Sequence, residues 1–166
     1  VNVDALELFR SRLRAATPRE VSVGYMTVQL LDAEQLEAEQ SGYARHPDGR
    51  DLTGVEDGEW RKSWLVFAHE DMCGDPIFTD LAAEDFPVFT AIHGTGFWDP
   101  TLIAGSFDGF VTALREVERL SHGREHPVAL EANPLTAAER EHFAKALRVL
   151  GKDASQDFWV DWFEVD

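Results

Sequence analysis

Several short runs of this chain hold side chains of the types that enzymes and metal sites use. His122 and His126 in "HGREH" have the i, i+4 separation that puts two imidazoles on one helix face. Gly123 between them and Pro127 after them oppose that helix, no Glu follows the first His, and no third ligand is evident. His69 and Cys73 stand at the same separation around "EDM", where an idle thiol is a simpler reading than a nucleophile or ligand. Ser106 in "GSFDG" resembles a hydrolase elbow only superficially, because Ala104 occupies the position where that turn needs glycine; it reads better as a helix N-cap. "GTG" at 94–96 lacks the later glycine and the helix of a dinucleotide fingerprint and reads as a turn. Glu70, Asp71, Asp75 and Asp80 offer hard oxygen ligands, but their spacing matches no calcium loop, and Asp75 and Asp80 fall on opposite faces of any strand that joins them. These readings yield no catalytic residue, metal ligand or cofactor site, and the expectation is a protein that is not an enzyme.

Charge distribution carries more information. Thirty-one acidic against fifteen basic residues give a formal charge of -16, which repels phosphate backbones and anionic lipid; neither nucleic acid nor membrane is an expected partner. The imbalance is segregated: between Lys62 and Arg115 there is no Lys or Arg, whereas Glu70, Asp71, Asp75, Asp80, Glu84, Asp85, Asp99 and Asp108 lie there. Loops at one end of a sheet could gather these carboxylates within about a Debye length, ~8 Å, into a surface for a basic protein. A solvated rim is the plainer alternative. On the first reading the candidate partner-binding residues are Glu56, Asp57, Glu59, Trp60, Glu70, Asp71, Glu84, Asp85, Trp98 and Asp99. Trp60, Trp98 and Trp159 would act as anchors where exposed, although Trp is more often core.

The elements that must position these residues follow from periodicity. Val3, Leu6, Phe9 and Leu13 form one helical stripe that ends near "ATPRE". "GYMTVQLL" reads as a strand, and Asp32 with Gln35 as a reciprocal cap that starts a short helix in "AEQLEAEQSG". Residues 43–60 read as an exposed loop, long enough to be functional or mobile. "SWLVFAHE", "PIFTDL" and "PVFTAIHG" follow at the spacing of an antiparallel meander, with Pro76 and Pro87 at strand starts. "SFDGFVTALREVERL" is a helix capped by Ser106, and "TAAEREHFAKALRVLG" one that opens on a Thr136–Glu139 capping box and stops at Gly151. The closing "DFWVDWFEV" alternates like a last strand. In "GDPIFTD", the turn residues feed a strand, Ile77 faces the core and Asp80 closes the strand through local hydrogen bonds.

The fold class read from this pattern is α+β: a single domain over 1–166 with one mainly antiparallel sheet and flanking helices. A lone cysteine and the lack of a long apolar run point to the cytoplasm and argue against a signal peptide or membrane span.

The stretch from "SWLVFAHEDMCGDPIFTDL" through "FPVFTAIHGTGFWDPTLIAGSFDGFV", about 60–115, resembles the core of the SUKH superfamily of SMI/KNR-type domains. The matching order starts with Phe67 and Ala68 of an apolar strand, then Gly74, Asp75, Pro76, Ile77 and Asp80. Pro87 and Val88 follow, then His93, Gly94 and Trp98, and finally Ala104, Ser106, Phe107 and Phe110 where a helix opens. The family's usual amino-terminal pattern is replaced here by "ATPREVSVGYMTVQLL". The resemblance implies a non-catalytic α+β domain, and in bacteria an immunity protein that binds and neutralises a cognate toxin of nuclease or deaminase type. The alternative it leaves is a regulatory adaptor or scaffold for a housekeeping partner. Residues 133–166 extend beyond the core as a helix plus strand, either an elaboration or an edge for pairing into a homodimer.

Overall fold

The computed structural model describes residues 3–164. Its centre is a six-stranded sheet in which every strand pairs antiparallel with the next in sequence. The strands are β1 (Glu20–Val23), β2 (Met26–Leu30), β3 (Trp64–Glu70), β4 (Pro76–Asp80), β5 (Val88–Thr90) and β6 (Thr101–Ala104). Helix α1 (Val3–Ala15) precedes the sheet, and α2 (Phe107–Ser121), α3 (Pro127–Ala132), α4 (Ala137–Ala146) and α5 (Asp157–Val160) follow it. The architecture is thus the expected α+β class with one antiparallel sheet and flanking helices.

β3 and β4 are buried at successive positions along most of their length, so both faces of the sheet need a cover. The helices supply the first. Phe9 and Leu13 of α1 and Phe107, Phe110, Leu114 and Val117 of α2 pack with Phe67, Ile77 and Ile103 into the main core. Phe9 meets the rings of Phe67, Phe86 and Phe107 edge-on at centroid distances of 5.3, 5.4 and 4.9 Å. The side chain of Val3, the first member of the expected stripe, lies outside the described residues. A bulge in β3 between Val66 and Ala68 lets Phe67 and Ala68, although adjacent, join the same core.

The second cover is the segment read from sequence as an exposed loop. Residues 41–62 fold back over the other face, where Trp60, Val66, Phe78 and Ala91 are buried and Tyr43, Trp64, Phe89 and Trp98 pack around them. Trp60 is in contact with four rings, those of Tyr43, Trp64, Phe78 and Trp98, at 4.7–5.4 Å. Its fixing point is Gln40. β2 pairs with β3 only from Ala68 to Glu70, so Val66 has no strand neighbour on that side. The buried Gln40 amide takes the neighbour's place: its Oε1 accepts the Val66 N–H at 3.0 Å and its Nε2 donates to the Val66 carbonyl at 3.0 Å.

Local chemistry explains the starts of α2 and α4. The Ser106 hydroxyl accepts the Gly109 N–H, and Thr136 with Glu139 forms the reciprocal capping box expected from "TAAE". Buried Arg124 donates to the carbonyls of Leu120 and Asn133 and to the Glu139 carboxylate, tying the end of α2 to the end of α3 and the start of α4. Three expectations are corrected. "AEQLEAEQSG" forms turns and a single 3-10 turn, Ala38–Gln40, and the Asp32 carboxylate lies 3.7 Å from Arg19 instead of capping a helix. β1 and β6, four residues each, are additional strands. The tail is not a strand: Asp157–Val160 is one α-helical turn and Asp161–Phe163 a 3-10 turn, so Trp159, Trp162 and Phe163 all turn into the main core. Val165, the end of that expected strand, lies outside the described residues.

Replacing Gln40 with Ala strands both backbone groups of Val66 without water. Gln40→Ala is expected to lower the unfolding free energy by about 2–3 kcal/mol, measured by urea titration. Loss of less than about 0.5 kcal/mol would show that the amide does not hold the cover.

Candidate functional site

The antiparallel order sends alternate turns to opposite ends of the sheet. One end collects the β1–β2 turn at Gly24 and Tyr25, the β3–β4 turn at 71–75 and the β5–β6 loop at 91–100. The other collects the β4–β5 loop at 81–87 and the start of α2. This splits the acidic set expected on one surface. Asp71, Asp75 and Asp99 lie at the first end, whereas Asp80, Glu84, Asp85 and Asp108 lie at the second.

The second end is built for packing. Asp85 and Phe86 adopt left-handed backbone conformations, φ 61° and 54°, which turn Phe86 beneath Phe9 and aim the Asp85 carbonyl at the Phe107 N–H. Arg12 lies over the Phe86 ring and 3.8 Å from Asp108. Asp80 accepts the Ala82 N–H, as its reading as a strand terminator required. Glu84 and Asp85 are exposed there but separated by the length of the sheet from the other candidates.

Two further candidates are corrected by burial. Trp60 is 1% exposed and is the centre of the second core, not an anchor. Glu70 is 5% exposed, and its carboxylate accepts N–H bonds from Met72, Cys73 and Asp75 at 2.8–3.2 Å. A charge count reads Glu70 as surface; the geometry makes it the peg around which the β3–β4 turn is wound. Trp98 is intermediate, its ring 5.0 Å from Trp60 and 5.6 Å from Tyr43, and Trp159 is fully buried.

The remaining candidates come together at the first end. The Trp98 N–H donates to the Gly58 carbonyl at 2.8 Å, which draws the 54–60 turn with Glu56, Asp57 and Glu59 against Phe97 and Asp99. Gly58, at φ 85°, lies so close that a β-carbon there would stand 2.9 Å from the Phe97 Cβ. Glu59 folds this turn by accepting the Glu56 N–H, and Asp57 is 3.6 Å from Arg61. Glu56, Asp71 and Asp99 are exposed and form no ion pair with Lys or Arg among the described residues. One Asp71 oxygen accepts the Thr27 N–H at 2.6 Å, so the carboxylate is fixed in place and still faces solvent.

The same end carries apolar side chains that the sequence reading missed. Tyr25 is 74% exposed, Met72 62%, Ile92 68% and Phe97 57%, each on a turn. Their signal in the sequence is an apolar residue at a turn centre with no periodic partner, as in "VGYM" and "HGTGFWD". These turns are tied down. Asp75 Oδ1 accepts the His93 N–H at 2.9 Å and lies 2.8 Å from His93 Nδ1, and the Thr95 hydroxyl donates to the Phe97 carbonyl.

A His–Asp pair is the geometry that orients a base, and Cys73 is nearby in the chain, but Glu70 and then desolvation and Asp75 push its thiol above the ordinary range. Such a thiol resists becoming a nucleophile. Among the described residues no three of His, Cys, Asp and Glu are grouped to hold a metal ion, and no helix is long and apolar enough to cross a membrane. The arrangement offers fixed carboxylates interleaved with exposed apolar side chains, which is the chemistry of adhesion. Searches of protein families, curated proteins and solved structures found no match to this chain.

Two predictions follow from this end of the sheet. Glu70→Ala is expected to cost about 2–3 kcal/mol in urea unfolding and to raise amide exchange throughout 71–75; unchanged exchange would show that the turn does not need the carboxylate. His69 is stacked against Tyr43 at 6.2 Å, and burial holds its pKa below the usual imidazole range despite the opposing pull of Glu39 and Glu70. The unfolded chain then takes up the proton first, so stability is expected to fall as pH drops below about 6.5, with a shallower slope in His69→Gln. Parallel pH–stability curves for the two proteins would refute this.

Proposed function

We propose that this chain is a non-catalytic binding protein that neutralises a basic protein partner, in the manner of a toxin-immunity protein of the SUKH superfamily. The observation that carries the reading is the first end of the sheet: Tyr25, Met72, Ile92 and Phe97 stand exposed there among Glu56, Asp71 and Asp99, on turns held by internal hydrogen bonds. Apolar side chains on a rigid platform supply slow release, and unpaired carboxylates supply fast, oriented encounter with a basic surface. The net charge of -16 adds long-range attraction for such a partner and repels nucleic acid. The order of motifs over 60–115 supports the family reading, and the α+β meander agrees with the fold that the resemblance implies. Inhibition then follows from competition: a carboxylate-bearing surface seated in a basic cleft occupies the place of an anionic substrate.

The test is association with the protein encoded beside this chain in its own genome, followed by stopped flow. Asp71→Asn with Asp99→Asn is expected to slow association about two- to fivefold at low salt with little change in dissociation. Phe97→Ala is expected to speed dissociation about tenfold or more. Association rates that do not change between low and high salt would overturn the electrostatic reading, and a bound partner that keeps its own activity would overturn inhibition.

A further inference from the structure

Beside the first end of the sheet runs a groove of about 540 Å³ between the β1–β2 turn, the β3–β4 turn, the short helix α3 and the 3-10 turn Asp161–Phe163. Its walls are apolar: Tyr25 and Met72 stand on one side, Leu130 and Trp162 on the other. Gly24 makes the close approach workable. At φ 55° it turns the hairpin in two residues, and a β-carbon there would stand 2.8 Å from Leu130 Cδ2. The rim is acidic. Glu131, Asp161 and Glu164 all line the groove, are exposed, and form no ion pair among the described residues.

We infer that this groove receives a lysine or arginine side chain of the protein partner, its alkyl stem between Tyr25, Met72 and Trp162 and its cationic head among Glu131, Asp161 and Glu164. Charge complementarity selects this occupant. A wholly apolar plug would take three carboxylates toward low dielectric without a counter-charge, and an anion would meet them directly. A long cationic side chain matches both parts, because it buries its methylenes while keeping its head at the polar edge. The exposed Tyr25 ring adds a face to which a cation is attracted. Trp162 borders the groove from the core, and its buried Nε1 has no hydrogen-bond partner, so its indole signal reports on the packing just beneath the groove.

This inference rests on the proposed function and can fail separately from it. The test titrates the 15N-labelled full chain with Nα-acetyl-arginine amide, Nα-acetyl-lysine amide and the neutral citrulline counterpart, following amide and indole shifts. Both cationic probes are expected to saturate shifts at 24–26, 71–73, 127–131 and the Trp162 indole. The citrulline compound is expected to bind at least about fivefold more weakly. Glu131→Gln with Asp161→Asn should reduce arginine-amide affinity by a similar factor, and Tyr25→Ala should weaken it while tryptophan fluorescence stays native. Equal affinity for the citrulline compound, or shifts confined to 56–59 and 97–99, would overturn the inference. Partner binding that is lost in Phe97→Ala but untouched by the Glu131 and Asp161 changes would overturn the groove alone; a salt-independent partner would overturn the broader reading whatever the groove binds.

Discussion

A single buried amide makes the second face of this sheet possible. β3 is apolar on both sides, so it needs partners along its edges and covers on both faces, yet β2 leaves it after Ala68. Gln40 supplies the two hydrogen bonds that a strand would have made to Val66, and it does so from the segment that leads into the cover loop. The same contact that satisfies the backbone therefore aims residues 41–62 across Phe78 and Val66. Burial of Trp60 follows, since its ring needs both the sheet below and Tyr43 and Trp98 beside it.

That packing also sets the platform at the end of the sheet. Trp98 belongs to the second core and Phe97, its chain neighbour, is held outside it, so the depth at which one ring seats fixes the height at which the other projects. The 54–60 turn is joined to the same point through Gly58. Glu70 performs the matching task for Met72 by gathering three N–H groups of the β3–β4 turn on one buried carboxylate. Turns fixed in this way have little conformational freedom left to lose, which on the proposed reading would favour affinity without enlarging the contact.

Much of this was legible in the amino-acid order, and the failures have physical causes. β3, β4 and β5 were readable because branched and aromatic residues run between Pro- and Gly-bearing turns, and α2 and α4 because each opens on a side chain that caps it. β1 and β6 are no shorter than β5 but carry no aromatic residue, so their runs give a weaker strand signal. In the tail, Phe158, Val160 and Trp162 fit alternation, while Trp159, Trp162 and Phe163 fit a helical stripe equally well, and the main core selected the second. The acidic set was only partly legible. Composition shows that positive charge is missing from 63–114 but not which end of the sheet each turn joins, nor that one carboxylate, Glu70, faces inward. The exposed apolar turns escaped because an isolated Met or Phe in a loop carries no periodicity to interpret.

The strictly sequential strand order bears on how the chain finds this structure. β3 to β6 can zip together through short closures, and so can the β1–β2 hairpin, but uniting the two groups must close the whole of 31–63. Closure entropy grows slowly with length, about 0.6 kcal/mol for each doubling, so this one connection is tolerated at modest cost provided its residues are repaid by burial. Gln40 and Trp60 sit near its two ends, so the longest loop in the molecule recovers its ordering entropy through the same contacts that fasten it.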